Sequence, residues 1–100
     1  MNKIIERINS LTIKDSKTLI ERTLKGVEEY GELAEAVMSH EKVSACAYKG
    51  LDSNDITEEA VDVLLVAFAV IHHANPKLSL EELKELFSKK MDKWENKINK

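Results

Sequence analysis

Apolar residues recur at helical spacing through most of this chain, and the pattern lapses only at a few polar connections. In the first periodic stretch, about Asn2 to Asn9, Ile4, Ile5 and Ile8 share one side. A longer one, about Ser16 to His40, places Leu19, Ile20, Leu24, Val27, Tyr30, Ala34, Val37 and Met38 along an apolar stripe. The segment EKVSACAYKGLDSND follows, with Gly50, Asp52, Ser53 and Asn54 as turn formers and a length generous for a bundle loop. A third helix is predicted from Asp55 or Ile56, where Asp55 and Glu58 have capping-box spacing, to about Ala74, stopping before Pro76. The fourth begins at Ser79, with Glu82 three residues on, and continues to the C-terminus. The fold class is therefore all-α, a helical bundle of about four helices.

The third helix differs from the others. In AVDVLLVAFAVIHH the apolar residues occupy every face, so this helix must be covered all round. Three further helices, one of them short, leave part of it bare. The bundle is accordingly expected to be completed by homo-oligomerisation, as a homodimer or homotetramer. Oligomerisation also suits a chain of 100 residues, which makes one domain, 1–100, with a modest core. One Pro and three Gly agree with helix, and a net charge of −3 offers no basic surface for nucleic acid. Cys46 is the only cysteine, so neither an internal disulfide nor a cysteine-rich zinc site is expected. The start, MNKIIERINS, lacks the apolar core of a signal peptide, and the run from Ala60 to Ile71 is too short for a bilayer and is broken by Asp62. These features point to a cytoplasmic protein with no membrane partner.

Candidate chemistry enters with the carboxylates. In GVEEYGELAEAV, the residues Glu28, Glu32 and Glu35 cluster away from the apolar stripe, and Glu29 lies at its edge. Taken alone, that is the solvated side of an amphipathic helix. In TEEAVDVLLVAFAV, however, Glu59 and Asp62 share a face that continues into Val66, Ala69 and Val70. A carboxylate pair on a face that turns apolar within a turn is costly unless cations or hydrogen bonds compensate it. The two pairs, Glu29-x-x-Glu32 and Glu59-x-x-Asp62, are separated by 26 residues. If their helices pack antiparallel, four carboxylates converge, and they need counter-cations to stay ionised. Oxygen-only ligands select Mg²⁺, with Mn²⁺ second. A di-iron bundle would require Glu-x-x-His, which neither pair supplies.

The pattern E-x-x-E, a spacer, then E-x-x-D resembles the all-α nucleoside triphosphate pyrophosphohydrolases, most closely the MazG-like members. EEYGELAEAV and EEAVDVLLVAFAV are similar to that family's two core helices, and KKMDKWENK to its lysine-rich last helix. The resemblance runs from about Leu19 to Lys97. It implies metal ligation by Glu29, Glu32, Glu59 and Asp62, with hydrolysis of a nucleoside triphosphate between the α and β phosphates. Dimeric dUTPases and phosphoribosyl-ATP pyrophosphohydrolases share the wider pattern. This chain ends in Lys93, Lys97 and Lys100, where the family often has an arginine.

Within that reading, Glu32 is the first candidate for the base that takes a proton from water, and Glu28 the second. Lys25, Lys90, Lys93 and Asn96 are candidate phosphate contacts, although each lysine also fits an ordinary charged helix face. Tyr48 and Lys49, in the long connection, are lesser candidates for nucleotide contact, Trp94 suits core or interface, and His72 and His73 suit the C-terminal dipole of the third helix. The rival from another class is a non-catalytic helical oligomerisation or adaptor domain with surface acids.

Overall fold

The computed structural model describes residues 1–41 and 52–100, which form four α-helices: α1 Asn2–Lys14, α2 Leu19–His40, α3 Ser53–Ala74 and α4 Leu80–Ile98. No strand occurs among the described residues. Cys46, Tyr48, Lys49 and Gly50, named above in the connection, lie outside the described residues.

Local chemistry sets the helix starts. Thr18 caps α2 in a reciprocal box: its hydroxyl accepts from the Glu21 N–H at 3.1 Å, and Glu21 accepts from the Thr18 N–H at 2.8 Å. That box places the start at Leu19, three residues past the expected one. For α3 the cap is Asp52, not Asp55. Asp55 is the other half of the box, receiving the Asp52 N–H at 2.8 Å. Ser79 and Glu82 cap α4 as expected. The first helix is longer than the Asn2–Asn9 expectation because its buried side extends from Ile5 and Ile8 to Thr12. Thr12 returns its hydroxyl to the Ile8 carbonyl at 2.8 Å, so the buried side chain leaves no donor unmet.

Helices α2 and α3 form the main pair. Glu29 lies beside Glu59 and Asp62, Gly26 opposite Val66, and Arg22 against His73, so the two run antiparallel. A Cβ added at Gly26 would lie 3.3 Å from Val66 Cγ1, so at Gly26 the side chain of Val66 packs directly against the α2 backbone. On the other side of α3, Phe68 joins Ile5, Ile8 and Leu83 in a small core, flanked by Ile71, Leu78 and Leu80. Phe87 extends it toward α4, with its ring centroid 6.2 Å from that of Phe68.

The face that α2 turns inward is not its apolar stripe. Its buried residues are Arg22, Glu29, Ala36 and Ser39, whereas Ile20, Leu24, Val27 and Tyr30 are 63–72% exposed. Hydrophobic periodicity selected the face about 120° round the helix from the one that packs on α3. The expectation for α3 is met in part. Val66, Ala69 and Val70 are half-buried, but Val61, Leu64 and Leu65 are 44–55% exposed. No described helix is long and apolar enough to cross a membrane.

Candidate metal and nucleotide site

Three of the four expected ligands meet directly. Glu29 comes from the middle of α2, while Glu59 and Asp62 come from the first half of α3. One carboxylate oxygen of each lies within 4.8 Å of the others. Glu28, Glu29 and Glu32 form a second such group along α2. Glu29 therefore belongs to both, and it is the most deeply placed, at 7% exposure. Glu32, Glu28 and Asp62 are exposed in the chain, and Glu59 is half-buried.

The electrostatics centre on Glu59. Burial pushes its carboxyl above the ordinary glutamate range, reinforced by the charges of Glu32 and Asp62, a hydrogen bond with Glu32, and the charge of Glu29. Its Oε2 is enclosed and has no hydrogen-bond partner among the described residues. An enclosed carboxylate oxygen left unpaired is costly. A hard divalent cation is what such an oxygen-only donor set accommodates, so the residues fit the metal that the acidic pattern implies.

A cleft of about 260 Å³ opens beside the carboxylates, lined by Asp15, Lys17, Arg22, Lys25, Glu29 and Asp62 over a floor of Leu65, Val66 and Ala69; Asp15 pairs there with Lys17 at 3.2 Å and with Arg22 at 3.9 Å. Lys25 projects from α2 one turn before Glu29, with Nζ 3.1 Å from Glu29 Oε1 and 3.4 Å from Glu28 Oε1. These bonds, that to Glu29 first, hold its ammonium above the usual lysine range. Lys90, Lys93 and Asn96 stand on the exposed second half of α4, and none of them lines this cleft. Trp94 is 66% exposed, beside Met91 and Ile98.

Arg22 was not apparent from the sequence. Buried to 6% exposure, it donates through Nε to His73 Nδ1 at 2.9 Å and through one terminal nitrogen to the carbonyls of Thr12 and Asp15, both at 3.0 Å. It thereby ties the end of α1 to the end of α3 at one wall of the cleft. His72 and His73 stand in the last turn of α3 as expected, and His73 Nδ1 accepts the Arg22 Nε–H. The available signal was an arginine one turn before Lys25 and two before Glu29, on the same side of α2.

Compared with known proteins, the chain matches the family model of the MazG nucleotide pyrophosphohydrolase domain over residues 15–98. No curated protein and no solved structure matches it. The matched span runs from the α1–α2 turn to the end of α4 and contains every carboxylate of the two acidic groups. The chain belongs to the MazG nucleotide pyrophosphohydrolase family.

Proposed function

We propose that this protein is a Mg²⁺-dependent nucleoside triphosphate pyrophosphohydrolase that cuts between the α and β phosphates, releasing a nucleoside monophosphate and pyrophosphate. The observation that carries this reading is the meeting of Glu29 with Glu59 and Asp62 across α2 and α3, around an enclosed oxygen of Glu59 without a partner. A domain that only oligomerised would gain nothing from burying Glu29 and crowding Glu59.

In this reading Glu29, Glu32, Glu59 and Asp62 hold the metal. Bound there, Mg²⁺, or Mn²⁺ in second place, supplies charge neutralisation for phosphate oxygens and acidifies a water. Glu32, exposed at the edge of the group, takes the proton of the attacking water, with Glu28 next in order. Lys25 gives the phosphate chain a cation beside the carboxylates, on a cleft that Lys17 and Arg22 share with Asp15, their ion-pair partner. Lys90, Lys93 and Asn96 reach a phosphate only if a second copy presents them. A homodimer or homotetramer also provides cover for the bare face of α2 and the exposed half of α3.

A pyrophosphate-release screen across all ribo- and deoxynucleoside triphosphates, with and without Mg²⁺, tests the reading. Release from at least one nucleotide, abolished by chelation, is the expected result. Absence of release from every nucleotide, in a chain that is folded by circular dichroism, would leave the activity without support.

A further inference from the structure

Glu29 is the residue common to both carboxylate groups, and it is also the anion to which Lys25 is tied. The two partners differ in freedom. The Glu29 side chain is 9% exposed and fixed against α3, whereas that of Lys25 is 44% exposed on a flexible stem. The lysine approaches the Oε1 atom at 3.1 Å and reaches Glu28 from the same position. A divalent cation drawn to Glu29 meets this ammonium at the shared corner of both groups, and like charges at such separations repel.

We infer that Lys25 is a tethered cation that competes with the divalent metal for Glu29, so that the chain's own lysine sets how tightly the metal is held. The inference rests on the metal-site reading above. It gives Lys25 a task separate from contacting phosphate: it weakens metal binding, and it is freed toward the cleft when the metal takes Glu29. Lys17 and Arg22 also line that cleft, each paired there with Asp15, so the freed ammonium adds its charge beside an already matched set. Lys25 is thus a positioning residue, acting through Glu29.

The test uses the full chain without nucleotide. Mg²⁺ is titrated by calorimetry at constant ionic strength, and Mn²⁺ is followed by the electron paramagnetic resonance signal of the free ion. Lys25→Met should lower the dissociation constant for both ions about two- to fivefold, the span that a partly exposed ion pair carries. Lys25→Arg, which keeps the charge, should leave it near the native value. Without divalent cations, Lys25→Met should also melt below the native chain, since its carboxylates lose their counter-charge, and added Mg²⁺ should close the gap. Unchanged or weaker metal binding by a folded Lys25→Met overturns the competition. Glu59→Gln and Asp62→Asn separate the two levels. If they abolish binding while Lys25→Met has no effect, only the competition falls. If the native chain binds neither ion, or if those variants leave binding intact, the metal site falls and the competition with it.

Discussion

Glu59 concentrates the strain of the acidic group in one carboxyl. Its proton is held above the ordinary value of 4.5 in the folded chain by burial and by its neighbours' charges. The unfolded chain releases that proton at the ordinary value, so between the two the folded state binds more protons, and its stability falls as pH rises through that window. Glu59→Gln keeps the shape and removes the charge. In chelator at neutral pH it should therefore melt above the native chain, with the difference vanishing below the carboxylate range. Two chains that track each other across the whole range would mean that Glu59 is not crowded. The same variant, like Asp62→Asn, should lose Mg²⁺-dependent pyrophosphate release by at least tenfold while its helical circular dichroism is kept. An active double variant would remove these residues from the site.

Along α2 the two interior glycines part company. At Gly26 a Cβ would press on Val66, so Gly26→Leu should cost about 1–3 kcal/mol by overpacking the α2–α3 contact. Among the described residues nothing within 4 Å would meet a Cβ at Gly31, and there Ala regains helix propensity. Gly31→Ala should stabilise by about 0.5–1 kcal/mol, raising the melting temperature roughly 2–8 °C. A fall instead would mean that the space beside Gly31 is filled in the native state.

The same helix shows where sequence reasoning works and where it stops. Periodicity located α2 to within a few residues, yet it chose the face bearing Leu24, Val27 and Tyr30, all of which are exposed. A period reports that apolar residues share a side; it does not report which neighbour covers that side. The buried side of α2 carries Arg22, Glu29, Ala36 and Ser39, with Gly26 and Leu33 half-buried, so charged and small residues leave it little hydrophobic signal. The acidic pairs were readable because their spacing is chemical and their helices are antiparallel. Lys90, Lys93 and Asn96 were placed by family likeness alone, and one chain does not bring them to the cleft.

The assembled chain is a thin slab. Its extents are 45 × 43 × 24 Å and its radius of gyration is 16.1 Å, against about 13 Å for a compact domain of this length. Among the described residues no large side chain is completely enclosed. Leu24, Val27, Leu64, Phe87, Met91 and Trp94 all stand open, more apolar surface than a lone domain of this size ordinarily leaves in water. Sedimentation equilibrium should therefore return two or four times the 11.3 kDa chain mass. Val27→Lys together with Leu24→Lys should shift the distribution toward one copy without unfolding α2. A native chain that sediments as a monomer at micromolar concentration would refute the assembly.

The buried guanidinium of Arg22 has a consequence for how the slab comes apart. Helix α1 rests on its neighbours through Ile5, Ile8 and Thr12, and its far end is held to them by one side chain on α2. Without that latch, α1 becomes the first piece to detach, in openings that leave α2 and α3 paired. Arg22→Met should then speed amide exchange over residues 9–15 and expose Lys14 and Lys17 to trypsin, while the middle of α3 stays protected. Asp15 and Lys17, which line the cleft, would move with the loosened end. A residue with no carboxylate to offer the metal would in this way govern how long the mouth of the site keeps its shape.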